Sequence, residues 1–216
     1  MTTIIKYFVY YPLFWLGYWF FNNFGKNNRA SYHSFRRLFY LSGGSFNDTL
    51  SQNLSKKVGK YEIKDSSGVL GQLNEQNIKD IVASIDKNGY HIFDQKLDQG
   101  TIDQLVEFAK VTPATPPGGQ AQIFDSENPV APRYNFNEYT LCQNKIIQNL
   151  IVDESLMKVA QNYLGCKPIQ DLTAMWWSVA FNANDQEAQS RAAQKYHFDM
   201  DRIKFLKFFF YLTDVS

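Results

Sequence analysis

The chain has 216 residues, with 22 Lys and Arg against 21 Asp and Glu and 44% apolar residues. That is enough for one medium domain with extensions or for two small ones, and apolar enough for a packed core. A formal charge of +1 without a basic block excludes a nucleic-acid binder that works by phosphate neutralisation. Cys142 and Cys166 have no C-x-x-C partner, which excludes a disulfide scaffold or a thiolate zinc site.

Both cysteines are expected to be reduced and buried, and the expected compartment is the cytoplasm. Residues 4–24, IIKYFVYYPLFWLGYWFFNNF, are aromatic and uncharged from Tyr7 to Phe21. The run falls short of the roughly 20 residues needed to span a bilayer. It also lacks a small-residue cleavage site, which argues against a signal peptide. Tyr and Trp favour the membrane interface, and the basic stretch GKNNRASYHSFRR follows. The segment therefore reads either as an anchor contacting a membrane surface or a partner, or as an aromatic helix packed on its own domain or disordered in solution. Residues 42–72, rich in Gly, Ser, Asn and Lys, read as a linker or a loosely packed arm. They separate an N-terminal segment, 1–41, from a main domain, 73–216.

In the main domain, Ile78, Ile81, Val82 and Ile85 recur at helical spacing, with Asn74 as cap and Gly89 as stop. YHIF (90–93) reads as a short strand. DQGTIDQLVEFAKV reads as a second amphipathic helix with Ile102, Leu105, Val106 and Ala109 on one face. TPATPPGGQAQ (112–122) reads as a loop without regular structure. Residues 137–168 hold one or two helices, with Asp153 a cap of the second and Gly165 with Pro168 its end. QDLTAMWWSVAFNAN then alternates as a long strand, with Trp176 and Trp177 on opposite faces. A final strand is expected over Ile203–Thr213. Helices first and strands after imply an α+β fold.

Between the two expected strands lies His197-Phe198-Asp199. Imidazole and carboxylate are mixed N/O donors, and with a second histidine they make the facial triad that holds non-haem Fe(II). Along a strand, residues i and i+2 point the same way, so both groups can reach one ion. The same triplet also reads as a polar residue before a strand and a turn former, with Asp201 a solvated carboxylate or a partner of Arg202.

The run from WWS through AAQKYHFDMD to FLKFFFYLTDVS resembles the phytanoyl-CoA dioxygenase family of Fe(II)- and 2-oxoglutarate-dependent oxygenases. KNGYHIFDQKLDQGTIDQLVEFA is similar to that family's opening helix–strand–helix, QNLIVDESLMKVAQNYLGCKPI to the helix before its core, and AMWWSVAF to its first long core strand. The resemblance covers roughly residues 73–216. It implies that His197 and Asp199 are metal ligands, that the cofactor is Fe(II) with 2-oxoglutarate as co-substrate, and that a small-molecule or lipid-like substrate is hydroxylated with release of CO₂ and succinate. It also implies that the α+β chain presents N-terminal helices followed by the leading strands of an incomplete double-stranded β-helix, a cupin-like jelly roll.

The family's third ligand is a histidine several strands further on, near a basic residue that grips 2-oxoglutarate. Neither precedes Ser216, so the expectation is a fragment of a longer oxygenase. His33 and His91 do not sit in the matching place and read as surface or packing residues. Arg133 or Tyr134 is expected to meet substrate or to be ordinary loop, and Lys204 or Lys207 to neutralise an acid or to be solvated. Two other classes stay open: a catalytically inactive relic or binding module, and a membrane-associated scaffold acting through residues 4–24.

Overall fold

A computed structural model describes residues 3–26, 28–64, 67–179, 190, 199–200 and 202–214. The fold is α+β, mainly helical with one small antiparallel sheet. The chain divides into two compact units. One is built on Met1–Lys60, with Leu164–Lys167 and Asp199–Phe205; the other on Tyr61–Tyr163, Pro168–Phe198 and Leu206–Ser216.

The first unit has three helices: α1 (Thr3–Phe24), α2 (Arg29–Ser42) and α3 (Ser45–Val58). Asn28 starts α2, its side-chain oxygen accepting from the Ser31 N–H at 2.7 Å. α1 turns Tyr7, Tyr10, Phe14, Gly17 and Tyr18 inward, at spacings of three and four that keep them on one face. A Cβ on Gly17 would overlap the Ser31 side chain, and the Ser31 Cα lies 3.5 Å from that position. The crossing of α1 and α2 therefore depends on glycine. Gly43 ends α2 in the left-handed region, at φ 60°, and Gly44 at φ 93° opens α3, a pair of conformations that side chains resist. Phe14, Phe35, Leu38, Phe46 and Leu50 form the core with Met200, and Phe14 stacks on Phe35 at 5.8 Å.

Residues 42–72 are thus not a featureless linker, because α3 occupies 45–58. Phe46, Leu50 and Leu54 recur every four residues and pack into this core. The Ser, Asn and Lys between them hide that period in a reading by composition.

In the second unit, α4 (Glu75–Asn88) starts at the capping box of Asn74 and Asn77 and stops at Gly89, as its sequence predicts. Its Ile78, Ile81 and Ile85 bury against Leu70, Leu73, Leu156 and Val159. α5 (Gln99–Val111) starts at Asp98. Three helices follow, α6 (Glu138–Gln143), α7 (Lys145–Ile151) and α8 (Glu154–Leu164), where one or two were expected. Asn144 both ends α6 and caps α7, which splits what reads as one helix.

The sheet has the order β1 (Ala114–Thr115), β2 (Arg133–Phe136), β3 (Trp176–Ser178), all antiparallel. β1 lies within the expected loop 112–122, and Ala114 also bridges Gln122. Leu105, Ala109, Ala114, Tyr134, Phe136 and Leu141 form a second core against one face of the sheet.

Three expected strands fall short. Residues 90–93 are not a strand, and the long strand at 170–184 is reduced, among the described residues, to Trp176–Ser178. The described residues 202–214 contain no strand. In that last segment Leu206, Phe208 and Leu212 pack onto the second unit's cores while Phe209 and Tyr211 are exposed. Alternation marks which side chains bury, but a strand also needs a hydrogen-bonded neighbour.

Candidate functional site

His197 lies outside the described residues, as does Asp201. Asp199 is half-buried. It opens the short piece Asp199–Phe205 that belongs to the first unit. Directly after it, Met200 is buried in the helical core, and the Ile203 carbonyl accepts from Asn47 Nδ2 at 3.4 Å. The backbone on the C-terminal side of the triplet is therefore pinned, and the carboxylate of Asp199 is carried on a fixed segment.

Among the described residues no three His, Cys, Asp or Glu side chains come together in a group able to hold a metal. His91 is half-buried, with its ring edge-on to Phe93 at 4.8 Å, and acts as a packing residue. His33 is exposed on α2. Cys142 and Cys166 are free thiols, half-buried rather than fully so.

The sheet separates the aromatic candidates by face. Tyr134 pairs with Trp177 and Asn135 with Trp176, and directly paired residues point to the same side. Trp177 faces the core, stacked on Phe124 at 5.1 Å and 21°. Tyr134 is 1% exposed, and its hydroxyl oxygen accepts from the Val130 N–H at 2.6 Å and the Ala131 N–H at 3.2 Å. That hydroxyl holds the turn entering β2 and is closed off from solvent, so Tyr134 is neither exposed loop nor free to meet a ligand as it stands.

The opposite face carries Arg133 and Trp176. The Arg133 guanidinium carbon stands 4.1 Å from the Trp176 ring centroid, and its Nε donates to Asn135 Oδ1 at 2.7 Å. Phe209 approaches Trp176 edge-on at 6.3 Å. Partial burial lowers the Arg133 pKa from its ordinary value, yet a guanidinium stays charged. The result is a cation held over an aromatic ring, an arrangement suited to planar anions and to cation–π contact. Sequence reasoning named both residues but missed their stacking, because only the register Asn135↔Trp176 brings them together. Lys204 and Lys207 are exposed.

The sequence matches no family model, no curated protein and no solved structure.

Proposed function

We propose that the chain carries part of an Fe(II)/2-oxoglutarate-dependent oxygenase centre of the phytanoyl-CoA dioxygenase type, with His197 and Asp199 as two metal ligands and a small-molecule or lipid-like substrate. The observation that carries the proposal is the order of its parts. Helices α4 to α8 precede the core strand β3, and the H-x-D triplet and the aromatic run 203–213 follow it. A double-stranded β-helix is the finer fold this reading implies, and the antiparallel β1–β2–β3 sheet with an aromatic core on one face is compatible with it.

The donor chemistry fits the group. An imidazole nitrogen and a carboxylate oxygen suit borderline ferrous iron, and Asp199 sits on a pinned, half-buried backbone. When bound, ferrous iron with 2-oxoglutarate supplies the oxygen chemistry that hydroxylates a substrate and releases succinate and CO₂. The chain's own residues hold and orient. His197 offers a neutral ring nitrogen, which requires it to be deprotonated. Asp199 offers charge compensation. Arg133, fixed on Trp176, is the better substrate-facing residue of the earlier pair, because Tyr134 is committed to the core.

The test is anaerobic titration of the full chain with Co(II), a spectroscopic substitute for Fe(II), in wild type and in His197→Ala, Asp199→Ala and His91→Ala. Losing even an outer-shell partner costs about 10–100-fold in metal affinity, so each ligand variant should lose at least that while His91→Ala binds as wild type does. Equal cobalt affinity in wild type, His197→Ala and Asp199→Ala would refute the assignment.

A further inference from the structure

α1 is apolar on nearly every side, yet only one side is used. Phe14 and Gly17 are buried. Outside them Phe8, Leu16, Trp19, Phe20, Phe21 and Phe24 stand exposed, Phe8 by 75% and Phe24 by 59%. A helix that is hydrophobic all round normally has its whole circumference covered, and an apolar stripe of this length marks an interaction surface. Among the described residues, no helix is long and apolar enough to cross a membrane, so α1 does not supply a span.

Charge identifies the occupant. Residues 1–60 contain eight Lys and Arg against one acid, Asp48, whereas residues 61–216 contain 14 against 20. The overall charge of +1 hides a strongly basic head on an acidic remainder. Within the head Lys26, Arg29, Arg36 and Arg37 are exposed, as are Lys56 and Lys57 in the last turn of α3. A second copy packed head to head would bring one basic head against another, which is repulsive within a Debye length of about 8 Å. An anionic bilayer reverses the sign. Its surface attracts basic segments, and its interface favours Trp and Tyr, which α1 exposes at Tyr11, Trp15 and Trp19.

We infer that the N-terminal helical unit is an interfacial anchor. The outward face of α1 lies in the headgroup region of a bilayer containing anionic phospholipid, and the basic residues of the unit supply the attraction. The inference is independent of the metal centre.

The test is flotation of the full chain with vesicles of phosphatidylcholine alone and of phosphatidylcholine mixed with phosphatidylserine. Wild type should float with the anionic vesicles, bind phosphatidylcholine weakly, and be released as salt rises. The triple variant Leu16→Gln/Trp19→Gln/Phe20→Gln changes only exposed positions; it should keep its circular dichroism spectrum and lose flotation. Arg36→Gln/Arg37→Gln should weaken binding to anionic vesicles about 30-fold, from the known worth of each basic residue near such a surface. Three results would overturn the inference: no flotation with either vesicle, equal flotation of wild type and the triple variant, or a wild-type dimer in solution that the triple variant dissociates while neither floats. The last would assign the stripe to a second copy.

Discussion

Asp153 links two parts of the second unit through one carboxylate. Its Oδ1 accepts from the Leu156 N–H at 3.1 Å and the Ser155 hydroxyl at 2.5 Å, and its Oδ2 accepts from the Val69 N–H at 2.9 Å. Ser155, fully buried, accepts in turn from the Leu70 N–H at 3.1 Å. The residue is therefore the α8 cap that its position before Glu154 predicts and also a tether for residues 68–70. Gly68 lets the carboxylate approach, since a Cβ there would overlap it. Asp153→Ala removes the cap, worth about 1 kcal/mol, and orphans a partly buried Val69 N–H at about 1–2 kcal/mol. The sum, about 2–3 kcal/mol, corresponds to roughly 30–150-fold in local opening. Amide hydrogen exchange on the full chain should show that loss of protection at Val69 and Leu70. Asp153→Asn, which keeps one oxygen for the cap, should lose about half as much in free energy. If Val69 and Leu70 exchange in Asp153→Ala at wild-type rates, the tether carries no energy and the reasoning fails.

Tyr134→Phe deletes an acceptor that serves two backbone N–H groups at the entry to β2. It should cost about 1–3 kcal/mol, read as a lower urea midpoint for the second unit, and an unchanged midpoint would show that the turn holds itself. Asp98 caps α5, accepting from the Thr101 hydroxyl at 2.6 Å and the Thr101 N–H at 2.9 Å. Those bonds, the hydroxyl first, hold its carboxyl below the usual aspartate value of 3.8. A carboxyl depressed in the folded state contributes stability above its unfolded pKa and loses it as pH falls through the folded one. The α5 cap should therefore persist at neutral pH and weaken only below that value. A carboxyl titration of Asp98 followed by NMR with a midpoint at or above 3.8 would contradict this.

Local signals in the sequence carried far in the second unit. Asn74 and Gly89 bound α4, and Asp153 and Gly165 bound α8, because caps and left-handed stops act over three or four residues and need nothing distant. The opposite faces of Trp176 and Trp177 follow from strand geometry alone. Distant contacts decided the rest. Ile203–Thr213 alternates as a strand should, yet its described residues lie as an irregular run with Leu206, Phe208 and Leu212 packed inward, since burial can be satisfied without a ladder. α3 was concealed by polar composition until Phe46 and Leu50 found Phe14 and Phe35. The Arg133–Trp176 stack depends on a strand register that no neighbouring residue encodes. The donor types on which the proposed metal centre rests, by contrast, are legible in His197 and Asp199, since donor type belongs to the side chain. Helix ends, strand faces and donor types are properties of a few adjacent residues and can be read in one dimension. Which apolar stripe is covered, and which cation meets which ring, is settled only when segments far apart in the chain compete for the same surface.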